Sequence, residues 1–147
     1  MSTVKYYITR NEGVKTTYAR VHHNAYLSFK DICDETAKQL GIPNELIEAV
    51  GKSIMRNAYD KACDGYRVEL GDLLSLYPQV HKSAVDKIDK QTGNVITPSD
   101  EEMVPTGKDG ELRCEVHKKA NRTFRENVNW EKIDDKNIND YPQYSPK

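Results

Sequence analysis

SFKDICDETAKQLGIPNELIEAVGKSIMRNAYDKACDGYRVELGDLLSLYP, residues 28–78, is the stretch whose reading decides the fold. It opens as a helix: Ser28 can cap the first turn, and Asp31 can return a hydrogen bond to the Ser28 N–H. Phe29, Ile32, Cys33, Ala37 and Leu40 then share one face. Gly41 ends that helix, and Pro43 suits the first turn of another. Leu46, Ile47, Val50, Ile54, Ala58 and Ala62 recur at helical spacing up to Gly65, a helix of about 22 residues or ~33 Å. The shorter first helix cannot cover so long a face, and a second copy of the chain is the natural supplier of the rest. Val68 and Leu70 next alternate with Arg67 and Glu69, the pattern of a strand with one apolar face. Gly71-Asp72 turns the chain, Leu74 and Leu76 continue the apolar layer, and Pro78 is expected to stop it.

Upstream, VKYYITR (4–10) and TYARVH (17–22) are rich in β-formers, and Asn11-Glu12-Gly13 offers a turn between them. Two short strands are expected, as a hairpin. Downstream, residues 81–110 are weakly apolar and full of turn residues (KQTGN, TPSD, PTGKDG), a paired arm or a loop insertion with a turn at Thr92-Gly93-Asn94. Leu112, Cys114 and Val116 alternate with Arg113, Glu115 and His117, which predicts a strand. A short helix is expected through Phe124, Val128 and Trp130. From 131 to 147 the chain is polar, carries two prolines, and is expected to be a flexible tail.

The chain has 147 residues, a mean hydropathy of -0.81 and a hydrophobic fraction of 37%. That suits one ordinary domain with a small core, and small cores often complete themselves by dimerising. No apolar run is long enough to span a bilayer, and the N-terminus has no signal-peptide pattern. Cys33, Cys63 and Cys114 are odd in number and far apart, which argues for a reducing compartment; Cys33 and Cys63 read as small core residues. The net charge of -1 hides a pattern. Residues 1–27 set Lys5, Arg10, Lys15 and Arg20 against Glu12, a net +3. Residues 113–125 set Arg113, Lys118, Lys119, Arg122 and Arg125 against Glu115, a net +4 before His117 is counted.

The order of elements resembles bacterial histone-like HU proteins. Residues 28–78 are similar to that family's first helix, its break, its long second helix and its "G-x-x-V-x-L-x-G-F-G-x-F" segment, with Gly65, Val68, Leu70 and Gly71 matching. Asp72-Leu73-Leu74 departs from Gly-Phe-Gly, and the strands before the first helix resemble those of a divergent HU-related subfamily. The resemblance covers 4–80 well, 111–128 moderately and 81–110 poorly. It implies an α+β, HU-like fold over residues 1–130: two helices packed on an antiparallel sheet, a β-arm, a short C-terminal helix and an intertwined homodimer. It also implies a cytoplasmic, nucleoid-associated protein that binds double-stranded DNA through backbone charge and deformability, independently of sequence and in an architectural role. Lys119, Arg122 and Arg125 fit the family's basic positions near the final helix and Phe124 its apolar one. At the arm tip Thr92-Gly93 is kept, and Lys90 stands where the wedge proline would be.

The candidate DNA contacts are therefore Arg113, His117, Lys118, Lys119, Arg122 and Arg125, with Lys82, Lys87 and Lys90 on the arm. The plainer reading of each is a solvated surface charge; Lys5, Arg10 and Arg20 read as solubilisers of a strand face. The rival function is a protein-interaction module that keeps the scaffold and has lost DNA binding, favoured by the near-neutral charge and the acids Asp86 and Asp89 on the arm. Cys114 and His117 have a C-x-x-H spacing, but on a strand they would point to opposite sides. No second half-site accompanies them, so no metal is expected. Nor is a cofactor, a small-molecule ligand or an enzymatic activity, since no nucleophile elbow, phosphate loop or zinc-protease helix is present.

Overall fold

A capping box starts the first helix, as its sequence requires. In the computed structural model, which describes residues 2–11, 13 and 16–134, Ser28 Oγ accepts from the Asp31 N–H and the Asp31 carboxylate accepts from the Ser28 N–H at 2.8 Å. Helix α1 spans Phe29–Leu40 and closes on Gly41, whose φ of 67° is left-handed. Helix α2 spans Asn44–Cys63, 20 residues or about 30 Å. Pro43 stands just before it, its carbonyl accepting from the Leu46 and Ile47 N–H groups.

The described chain divides into two compact units, and α2 begins in one and ends in the other. The first holds residues up to Ile54 together with those from Lys118 onward. There β1 (Ser2–Asn11) pairs antiparallel with β2 (Thr16–His22), the expected hairpin, although Glu12 of its turn lies outside the described residues. Helix α3 covers Lys118–Asn127, and β8 (Val128–Lys132) returns to pair parallel with the other side of β1, giving the order β2-β1-β8. The expected helix through Val128 and Trp130 thus stops at Asn127. Phe124 and Val128 have helical spacing, but Val4 lies opposite Trp130 and gives the segment a strand to join. The expected tail from 131 begins inside β8, and its portion from 135 lies outside the described residues. Cys33 and Ala37 of α1 are buried in this unit. Phe29 packs where Gly51 of α2 has no side chain: a Cβ there would come within 2.6 Å of its ring.

The second unit runs from Met55 to His117. Its sheet has the order β3-β4-β7, from β3 (Val68–Leu70), β4 (Leu74–Val80) and β7 (Gly110–Val116). The turn between β3 and β4 uses Gly71 at φ 63°. Pro78 does not end β4, which runs on to Val80. The reason lies in the register: β3 reaches only as far as Leu76, so β4 is an edge at Pro78 and no ladder bond from its nitrogen is lost. The excursion from 81 to 110 is paired over a short part of its length. It holds a separate two-stranded hairpin, β5 (Lys87–Ile88) with β6 (Val95–Ile96), and a 3₁₀ turn at Gly107–Asp109. Ala58, Ala62 and Ser75 are the buried residues of this unit. Cys63, expected in the core, is exposed: it lies about 100° round α2 from Ala62.

Candidate nucleic-acid interface

Helix α3 sorts its side chains by chemistry. At about 100° per residue, Lys118, Arg122 and Arg125 fall within about 60° of one another, and Lys119 lies about 60° beyond Arg122. Glu126 falls between Arg122 and Lys119 and dilutes the stripe. Ala120 and Phe124 occupy the opposite side. Phe124 meets Trp130 edge-on at 6.3 Å, and Trp130 meets Tyr6 of β1 at the same distance. The aromatic row fixes the apolar side of α3 to the β2-β1-β8 sheet and turns the cations outward, where all four are exposed. Among the described residues none of the four has a carboxylate within ion-pair distance. Lys118 and Lys119 also stand in a first turn that holds no acid. Cations there oppose the helix dipole, at a cost of about 0.3–1 kcal/mol each. A phosphate at that end would reverse the sign.

The cations of the β3-β4-β7 sheet are arranged otherwise. Arg67, absent from the sequence-derived set, donates to the Glu115 carboxylate at 2.7 Å and lies 4.3 Å over the Tyr77 ring. Its alternation with Val68 and Glu69 was the signal that placed it on a charged face. Lys82 lies 3.6 Å from Asp109, and His81 lies 3.0 Å from Glu111. The Thr106 N–H holds the Asp109 carboxyl below the usual carboxylate range, with Lys82 adding to the effect. Arg113 is exposed and faces Tyr77 across the ladder. His117 Nε2 is 2.7 Å from the fully buried Ser75 Oγ, so that nitrogen is already engaged. Nothing in the local pattern LSLYP announced this bond.

On the hairpin, Lys87 sits in β5 and Lys90 in the tip, both exposed. The tip is closed by the Asp89 N–H to the Asn94 carbonyl at 2.9 Å and by Gly93, at φ 70°, to the Asp89 carbonyl at 2.8 Å. The Gln91 N–H and the Thr92 hydroxyl hold the Asp89 carboxyl below its ordinary range. The sequence-derived residues therefore fall in three places. Lys118, Lys119, Arg122 and Arg125 share α3 in the first unit. Arg113, His117 and Lys82 lie on or beside the sheet of the second unit, and Lys87 and Lys90 lie on the small hairpin. Among the described residues no group of three His, Cys, Asp or Glu side chains is arranged to hold a metal ion. No described helix is long and apolar enough to cross a membrane.

Residues 3–100 match the family described as HU domain fused to wHTH, Ig, or glycine-rich motif (HU-HIG). No curated protein matches significantly. Among solved structures the chain is similar to a proposed bacterial DNA-binding protein from Bacteroides vulgatus ATCC 8482, with a TM-score of 0.59 at 15% identity over 90% of this chain. This chain spans 49% of that one, about half its length.

Proposed function

We propose, from the premise that this chain belongs to the HU-HIG family, that it binds double-stranded DNA through the phosphate backbone, as a homodimer and independently of sequence. The role would be architectural and its place the bacterial nucleoid. The observation that carries the reading is the outward cationic stripe of α3, held by an aromatic anchor and paired with no acid among the described residues. The proposed DNA-binding character of the Bacteroides protein supports it.

The homodimer rests on α2. Its apolar positions span an arc of about 220°, far wider than the roughly 100° stripe of a helix with one neighbour. Ala58 and Ala62 within the arc are buried, while Leu46, Val50 and Ile54 on one side of them and Met55 and Tyr59 on the other are at least half exposed. A contiguous exposed apolar face of this kind marks a protein-interaction surface. Two copies with about five usable cations each would make ~10 phosphate contacts at most, each lowering the salt slope by about 0.9.

Titrating a labelled duplex with wild type and with Lys119→Glu/Arg122→Glu, at two salt concentrations, tests the reading. Wild type should bind at low salt and release steeply with added salt, and the variant should bind far less tightly. Failure of wild type to bind at low salt would instead favour the interaction module, to which the locally paired Arg67, His81 and Lys82 already lend support.

A further inference from the structure

The β2-β1-β8 sheet has two faces, and α3 makes its aromatic contact with only one. Tyr6 and Trp130 lie on the face that meets Phe124. The register places a different set on the other face: Lys5 opposite His22, Tyr7 opposite Arg20, and Tyr18 on the next rung opposite Thr9. Paired residues of antiparallel strands share a face, as do alternate residues along each strand. The Arg20 guanidinium lies 5.1 Å over the Tyr18 ring, and its hydrogen bond to Tyr7 and the nearby Tyr18 hydroxyl raise its pKa further. The cation is thus held between two tyrosines on adjacent strands rather than swinging on a free stem. Glu131, opposite Lys5 on β8, brings one acid to this face. The hairpin as a whole is cationic, since residues 1–27 hold four Lys and Arg and the single acid Glu12.

From this geometry we propose that the outward face of the β1–β2 hairpin binds single-stranded DNA. Tyr7 and Tyr18 would offer stacking surfaces to bases, and Lys5 and Arg20 would contact the phosphates between them. The two tyrosines are diagonal neighbours, roughly 7–8 Å apart and somewhat closer at Cβ, so rings and cations alternate on the scale of successive nucleotides. A sheet face with aromatics on neighbouring strands and cations beside them is the physical requirement for stacking with little base preference. A duplex would use the cations alone, since its bases are already stacked on one another. The site stands apart from the duplex-binding reading of α3.

The test is fluorescence anisotropy of a labelled oligothymidylate and of a duplex of the same length, with the full chain at low salt. Wild type should bind the oligothymidylate. Tyr18→Leu, which keeps an apolar side chain at this position, should weaken that binding roughly tenfold. Lys5→Gln/Arg20→Gln, which removes only charge, should do the same, and both variants should keep the wild-type circular dichroism and change duplex affinity less than threefold. Oligothymidylate that fails to bind wild type, or that binds both folded variants as tightly, overturns the proposal. Loss of duplex binding by wild type with retention of the oligothymidylate would instead overturn the α3 reading and leave this one standing.

Discussion

The cations of α3 and those of the β3-β4-β7 region carry the same charges in different settings. On the sheet, Arg67 has Glu115, and beside it Lys82 has Asp109 and His81 has Glu111. On α3, Lys118, Lys119, Arg122 and Arg125 have no such partner among the described residues. An exposed ion pair is worth little to stability, at most about 1 kcal/mol. Its larger effect is to place a carboxylate where a phosphate oxygen would otherwise sit. Basic residues counted along the sequence therefore overstate the unpaired charge of the sheet and describe that of α3 more faithfully.

The sharpest way to break this comparison is to exchange charge in both places. Arg122→Glu should lower duplex affinity by at least about 30-fold at low salt while leaving the melting temperature unchanged. Arg67→Ala should do the reverse: affinity should stay within about twofold, and the melting temperature should fall by a few degrees as the Tyr77 ring loses its guanidinium. Equal losses of affinity from the two substitutions would remove the distinction.

A second effect concerns His117, counted among the contacts by its place in the basic run. Its Nε2 is held by the buried Ser75 hydroxyl. Ser75→Ala strips a partner from that nitrogen, and stability should fall by about 1–3 kcal/mol in urea unfolding. Duplex affinity should rise at most slightly, because the ring is also half-buried. A large rise would restore His117 as a contact.

Local patterns made α1, α2, the capping box, the β1–β2 hairpin and the strands of the second sheet legible, because each is written within a few residues. Features that depend on a distant partner were not. VNWEK reads as the end of a helix until Val4, more than a hundred positions earlier, lies opposite Trp130. Arg67 and Glu115 stand 48 positions apart, and Ser75 and His117 stand 42 apart. Composition could locate the basic run 113–125. It could not show that α3 keeps its charges exposed while Arg67, His81 and Lys82 meet acids, since register decides which acid meets which base. Cys63 is a smaller case: its spacing from Ala62 on the helix, rather than its residue type, sets its exposure.

A smaller gain should come from releasing a paired cation. Asp109→Asn keeps an acceptor for the Thr106 N–H, now 2.8 Å from the carboxylate, but removes the charge opposite Lys82. Duplex affinity should rise about threefold, with a salt slope steeper by about 0.9 for each lysine freed. The same substitution paired with Lys82→Gln should cancel the gain. A rise that survives the loss of Lys82 would mean that Asp109 acts by general repulsion and not by occupying that lysine.

The smallest effect lies at the hairpin tip, where the acid is bound to backbone rather than to a cation. Asp89 accepts from the Gln91 N–H at 2.9 Å, and its carboxyl is held below the ordinary range by that bond and by Thr92. Because the folded value is the lower one, the carboxylate stabilises the tip fully above the unfolded value of about 3.9. That contribution is lost as the pH falls through the folded value. A titration of the Gln91 amide proton shift from pH 6 to pH 2 should show a midpoint below about 3.9, and Asp89→Asn should abolish it. Since this charge is spent within the loop, Asp89→Asn should change duplex affinity less than twofold at neutral pH, in contrast to Asp109→Asn. A midpoint at or above the ordinary value would show that the tip does not hold its carboxylate. Asp89 would then be one more acid diluting the charge of Lys87 and Lys90, and the tip would join the sheet side of the comparison.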